Sequence, residues 1–142
     1  MSKLSKTDAS LMIGFSRIAN FLQREVGLLC NDYDLTQTQF AVLEVLNSKG
    51  ELLVGEIQRL ILSTPGNVPY VINNLIKKGF VTKTAVESDR RCSRIGLTQK
   101  GRDKIMEVLP THDQLLTEKF EVLTDEEKVD LIEIFREIRQ RS

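Results

Sequence analysis

Phe80-Val81-Thr82-Lys83-Thr84-Ala85-Val86-Glu87-Ser88-Asp89-Arg90-Arg91-Cys92-Ser93-Arg94-Ile95-Gly96-Leu97 is the stretch in which the chain changes its period. Phe80 to Ala85 is rich in β-branched residues, and Ser93 to Leu97 alternates polar with apolar, so both read as short strands. Between them Val86 to Cys92 is polar and charged, which predicts a β-hairpin with an exposed, arginine-bearing tip. The segments on either side keep a helical period. The fold class is therefore mainly α with one small β-hairpin (α+β).

Before the hairpin, Thr36-Gln37-Thr38-Gln39 fits a capping box, and Phe40, Leu43 and Leu46 carry its helix to a stop at Gly50. Leu53 to Leu62 reads as a short helix with Ile57, Leu60 and Ile61 inward, and no good capping side chain stands near Val54. After Ser63-Thr64-Pro65-Gly66 comes a helix with Val68, Val71, Ile72 and Leu75 inward, stopping at Lys77-Lys78-Gly79. Its start has two readings. With Thr64 as the cap, Pro69 falls past the first free donors and costs a hydrogen bond; with a start near Asn67 it sits harmlessly in the first turn, and the later start is preferred.

From about Thr7 to Leu29, the residues Leu11, Phe15, Ile18, Leu22, Val26 and Leu29 recur at helical spacing. So long a stripe exceeds what a small core needs, and its far end is expected to find a partner. After the hairpin, Thr98 can cap a helix through Ile105, Val108 and Leu109, which Pro110 should kink or end. Thr124-Asp125-Glu126-Glu127 is a further capping box, opening a helix with Leu131, Ile134, Phe135 and Ile138 on one face.

A chain of 142 residues has room for one domain. Lys+Arg and Asp+Glu are both 20, a balance that by itself argues against a nucleic-acid binder. The charges are segregated, however. Residues 77–104 hold 9 basic against 3 acidic side chains, and residues 105–142 hold 5 against 10. No apolar run approaches a membrane span and no signal peptide opens the chain, so the expected location is cytoplasmic, without membrane contact. Cys30 and Cys92 are too few for a disulfide framework, and with the lone His112 they make no zinc set. No Gly-rich phosphate loop, HExxH, nucleophile elbow or Cys-His pair is present, so neither an enzyme nor a bound cofactor is expected.

Helix, short helix, turn, helix and basic hairpin is the order of a winged helix-turn-helix. A helix fits the major groove of B-DNA, and a basic hairpin beside it can enter the minor groove. Thr64, Asn67, Pro69, Tyr70, Asn73 and Asn74 lie on the recognition helix or its entry, with polar groups suited to adenine edges, thymine methyls and phosphate. Asp89, Arg90, Arg91 and Arg94 form the wing set.

Asp89-Arg90-Arg91-Cys92-Ser93-Arg94-Ile95-Gly96-Leu97-Thr98-Gln99-Lys100-Gly101 resembles the wing signature of the MarR family of bacterial winged-helix regulators: Asp-x-Arg, a β-branched residue, then Leu-Thr-x-x-Gly. Thr64 to Val81 is similar to that family's recognition helix and its Lys-Lys-Gly exit, and Leu35 to Phe40 to its second helix. The resemblance implies a homodimer built through helices at residues 7–30 and 105–142. It implies a DNA-binding region at 36–101 and a pseudo-palindromic double-stranded operator. It also implies that Asp89 orients the wing and that Arg91 enters the minor groove. Pro69 departs from the family pattern, standing where a polar base-reader is usual.

Family members release DNA on binding a small aromatic compound or on cysteine oxidation, so the effector classes are small aromatics, quinones and peroxides. Cys30, ending the first helix, is either a packed small side chain or a sensing thiol. Cys92, beside Arg90, Arg91 and Arg94, is either a surface thiol or one whose pKa the positive field lowers. The expected activity is that of a repressor; the alternative is a winged-helix module that binds protein, its basic wing meeting an acidic partner.

Overall fold

The computed structural model of the chain describes residues 3–61 and 67–141. Along them run α1 (Lys3–Asn31), α2 (Gln37–Lys49), β1 (Leu52–Leu53), α3 (Val54–Leu60), α4 (Asn67–Lys77), β2 (Val81–Val86), β3 (Asp89–Leu97), α5 (Gln99–Phe120) and α6 (Asp125–Gln140). They fall into two compact units, Met1–Pro110 and Thr111–Ser142, divided within α5. No helix among the described residues is long and apolar enough to cross a membrane.

The core of the first unit gathers Phe40, Leu43 and Leu46 of α2, Ile57 of α3, Val68, Ile72 and Leu75 of α4, and Ile95 of β3. α2 starts with the expected box: Gln39 N–H donates to Thr36 Oγ1 (3.1 Å) and Thr36 N–H to Gln39 Oε1 (2.9 Å). It stops at Gly50, whose φ of 82° is left-handed. α3 solves its missing cap differently: Glu56 Oε1 accepts the Leu53 N–H at 2.9 Å, half of a capping box without the hydroxyl. α3 also stops earlier than periodicity suggests, at Leu60. Ile61 turns extended (φ −107°, ψ 151°) and is buried, whereas Leu60, expected inward, is 47% exposed.

The sheet holds three strands in the order β1-β3-β2, all antiparallel, so the hairpin carries a third strand that the sequence pattern did not announce. With two residues, β1 is too short to show a period. It is fixed by register, with buried Leu52 opposite buried Ile95. The hairpin tip is also tighter than expected. Only Glu87 and Ser88 lie between the strands, and Asp89 to Cys92, read from their charge as loop, belong to β3. The pairing slips between Ala85 (opposite Ser93) and Val86 (opposite Asp89), so Arg90, Arg91 and Cys92 stand in a bulge.

At the exit of α4, Phe80 N–H bonds Leu75 O and Gly79 N–H bonds Ile76 O (both 2.9 Å), with Gly79 at φ 80°. This left-handed cap closes the helix and folds Phe80 back onto the core. The start of α5 locks onto the same residues. Thr98 Oγ1 donates to Gly79 O at 2.6 Å and accepts the Gly101 N–H at 3.0 Å, while Thr98 N–H donates to Phe80 O at 3.0 Å. A Cβ at Gly101 would run into the Phe80 carbonyl oxygen and stand 3.2 Å from Leu97 Cδ2. The Leu-Thr-x-x-Gly run thus reports one close backbone contact.

Pro110 does not end α5, which continues to Phe120. Proline deletes only its own bond to the carbonyl of Met106, an exposed residue whose carbonyl can turn to water. In the second unit α6 begins with the expected box, Glu127 N–H to Thr124 Oγ1 at 3.1 Å and Thr124 N–H to Glu127 Oε1 at 3.0 Å, and buries none of its residues. In the first unit the C-terminal end of α1 is anchored in the core. There Cys30 is fully buried and Val26 and Leu29 pack on the core, whereas Leu11 and Ile18 are 55% and 58% exposed.

A Gly101→Ala variant is expected to lose at least about 2 kcal/mol of unfolding free energy in urea, because the opposing atom is backbone and cannot swing aside. A loss below about 0.5 kcal/mol would show that the junction yields.

Candidate nucleic-acid interface

α4 divides cleanly into two faces. Val68, Val71, Ile72 and Leu75 are buried, while Pro69, Tyr70, Asn73 and Lys77 are exposed and Asn67 and Asn74 half-buried. Residues 62–66, and with them the expected start of this helix, lie outside the described residues; within Asn67–Lys77, Pro69 is exposed and presents a rigid apolar surface where a polar reader was the family expectation. Thr64, and the side chain of Arg90, lie outside the described residues.

Asp89 organises the wing. Its Oδ1 accepts the Arg91 backbone N–H at 3.0 Å and lies 3.6 Å from Arg91 Nε, while Oδ2 accepts the Cys92 thiol at 3.5 Å. These contacts, the Arg91 backbone N–H first among them, hold the Asp89 carboxyl below its ordinary pKa. The carboxylate fixes the root of Arg91 and leaves the rest of its side chain 94% exposed. Arg94, opposite Thr84 on β2 and Arg-bearing on the same strand, is also exposed.

Helix and wing meet at a cleft of about 370 Å³. Pro69 and Asn73 line it from α4, Glu56 and Arg59 from α3, Lys83 from β2, and Arg91 and Cys92 from β3. Four of the sequence-derived site residues are thereby brought together: Pro69, Asn73, Arg91 and Cys92. Arg59 and Lys83 were not among them. Lys83 had a signal, as a charged residue within a strand of the basic segment; Arg59 had none, because only the tertiary fold carries α3 to the wing.

The basic segment is not uniformly available. Lys78 Nζ donates to Asp34 O, Lys100 Nζ donates to Lys78 O and stands 5.3 Å from the Phe80 ring centroid, and Lys104 lies 3.9 Å from Glu107. Lys77, Lys83, Arg91, Arg94, Lys100 and Arg102 are exposed among the described residues, Lys100 with its ammonium bonded to the Lys78 carbonyl.

From the sequence each thiol has two readings, an inert side chain or a sensing one. No lowered pKa is found at Cys92: its hydrogen bond to Asp89, then burial and the Asp89 charge, push the thiol up, with Arg91 opposing. A carboxylate accepting the S–H outweighs the arginine field that the sequence suggested. Cys30 lies in the core, and burial, with Glu44 adding to it, pushes its thiol from 9.0 to about 11. Burial at Cys30 and the Asp89 carboxylate at Cys92 both work against thiolate formation, although Arg59, Lys83 and Arg91 line the same cleft as Cys92.

The MarR family model matches residues 35–93, from the start of α2 to the wing. The chain is similar to the HTH-type transcriptional regulator MhqR of Bacillus subtilis (29% identity over 124 residues, 87% of this chain and 86% of that one). It is also similar to the uncharacterised HTH-type transcriptional regulator YkoM of the same organism (30% over 105 residues, 74% and 68%). Among solved structures, the crystal structure of the organohalide-sensing RdhR transcriptional regulator bound to 2,4-dichlorophenol shares the fold. Its TM-score is 0.82 at 21% identity, over 100% of this chain and 86% of that one.

Thiol titration of the folded protein at pH 8 is expected to show Cys92 reacting first and Cys30 only on unfolding. Because the folded Cys30 keeps its proton to about pH 11 and the unfolded one loses it near 9, its contribution to stability is complete below pH 9. It declines as pH climbs from 9 towards 11, a loss that Cys30→Ala should lack. Equal labelling rates for both thiols in the native state would contradict this assignment.

Proposed function

The chain belongs to the MarR family of transcriptional regulators, and from that premise we propose that it is a homodimeric repressor on a pseudo-palindromic operator. In this reading α4 enters the major groove with Asn67, Pro69, Tyr70, Asn73 and Asn74, and Thr64 contributes from the entry to that helix. The wing of Asp89, Arg90, Arg91 and Arg94 reaches the adjoining minor groove. The observation that carries it is Arg91: its side chain is 94% exposed, yet the backbone beneath it is tied to Asp89 at 3.0 Å. An arginine rooted so, its Nε 3.6 Å from Asp89 and its side chain still 94% exposed, is preorganised for a narrow, negative groove.

Dimerisation is supported by the apolar surface left open on the helices at either end of the chain. Leu11 and Ile18 of α1 in the first unit, and Ile132 and Ile138 of α6 in the second, are each more than half exposed, apolar surface of the kind that partner helices cover. Two-fold symmetry in the protein then calls for two-fold symmetry in the operator.

For the effector we favour a small phenolic or other aromatic compound. The similarity to a regulator seen with 2,4-dichlorophenol supports that class. The burial and raised pKa of Cys30, and the thiol–carboxylate bond of Cys92, speak against thiol oxidation by quinone or peroxide as the trigger.

Arg91→Ala is expected to weaken binding of the chain's selected duplex by at least about tenfold, or roughly 1.4 kcal/mol. Fluorescence anisotropy over a salt series checks it. Specific binding should fall steeply and linearly in log–log form, with a slope that counts neutralised phosphates. An unchanged affinity would remove the wing from the interface, and salt-insensitive duplex binding would favour the protein-binding module instead.

A further inference from the structure

Lys78 belongs to the basic segment and on charge alone would be counted as a phosphate contact. Its geometry assigns it elsewhere. It is the half-buried residue that follows α4, immediately before Gly79, and its ammonium has two oxygen partners. Nζ donates to the Asp34 carbonyl at 2.9 Å and reaches Gln39 Oε1 at 3.4 Å. The Gln39 oxygen is already the acceptor for Thr36 N–H that starts α2.

Asp34 is itself a helix cap. Leu35 N–H bonds Cys30 O at 3.0 Å and Asp34 N–H bonds Asn31 O at 3.1 Å, the same pattern that closes α4 at Phe80 and Gly79. With φ 57°, Asp34 is the only non-glycine among the described residues in left-handed conformation, where α4 uses Gly79. The two helices thus end in equivalent caps, and the Lys78 side chain ties one to the other. A cation belongs at that place, because the C-terminal end of α1 carries the negative end of its dipole. From the other side Lys100 Nζ donates to the Lys78 carbonyl at 2.8 Å, so both the side chain and the backbone of Lys78 are held.

We propose that Lys78 is a positioning residue for DNA recognition: it sets the recognition helix against the end of α1 and touches no phosphate. The proposal rests on the DNA-binding reading above and adds a route by which the setting of α1 reaches α4. The link is short and polar, and it joins the C-terminal end of α1, anchored in the core, to the exit of the helix that reads bases. A turn of α1 would be passed to α4 through it.

The test uses the full chain, wild type and Lys78→Gln, with Lys78→Arg as the conservative variant and thermal unfolding followed in parallel. Hydrogen exchange comes first, without DNA. Lys78→Gln should speed exchange at the Leu35 and Phe80 amides together, and Lys78→Arg should restore protection. Unchanged exchange at both would overturn the clasp. Binding follows, on a duplex recovered from a random pool by the wild-type chain and on a scrambled duplex.

Lys78→Gln should weaken the selected duplex about tenfold, leave the scrambled duplex unaffected and keep the salt slope. Lys78→Arg should recover most of the loss. A parallel loss on both duplexes, with a slope shallower by about one charge, would make Lys78 a phosphate contact and overturn the proposal. Coupled exchange of the two caps in a chain that recovers no duplex would contradict the DNA-binding reading while leaving the clasp standing.

Discussion

The close approach of the α5 backbone to the Phe80 carbonyl fixes where the hairpin can be. Phe80 ends the cap of α4 and begins the run into β2, so its carbonyl is a hinge point shared by the recognition helix and the wing. Gly101 lets α5 come within reach, and Thr98 fills both ends of the gap by donating to Gly79 O and accepting the Gly101 N–H. A side chain at 101 would force the strand pair away from the core, and the cleft between α4 and the wing would change shape with it. The spacing of helix and wing is thus set by backbone contact, which is stiffer than any arrangement of side chains.

Charge is distributed with the same economy. The chain is neutral overall, so long-range attraction to DNA is weak and binding must depend on local placement. Three lysines of the basic segment are committed to internal contacts at Asp34, Lys78 and Glu107. What stays exposed is a set of side chains on α4, the sheet and the start of α5, Arg91 among them with its side chain 94% exposed. The acidic group paired with it is structural: Asp89 holds the bulged strand through the Arg91 backbone and the Cys92 thiol. An acidic residue in a basic wing is there to shape it.

The elements legible in the sequence are those whose signal is local. The boxes at Thr36/Gln39 and Thr124/Glu127 and the stops at Gly50 and Gly79 each satisfy backbone groups within a few residues, so the pattern suffices. The inward residues of α4 follow from period alone. β1, by contrast, exists only because Leu52 finds Ile95, a long-range pairing with no period of its own. The wing tip looked like loop because charge broke the alternation, although a bulge keeps those residues in the strand. The continuation of α5 through Pro110 runs against the local signal of a proline, which favours an end or a kink. At Cys92 the sequence shows which arginines are close along the chain, and only the fold shows that the Asp89 carboxylate accepts the S–H.

The central claim is that helix and wing, held at a fixed spacing and doubled by dimerisation, read a two-fold symmetric duplex. Selection of bound duplexes from a random pool by the full chain tests it most directly. The account predicts enrichment of an inverted repeat whose half-sites lie about one helical turn apart, roughly 10 base pairs centre to centre. Enrichment of a sequence without dyad symmetry, or no enrichment at all, would contradict it.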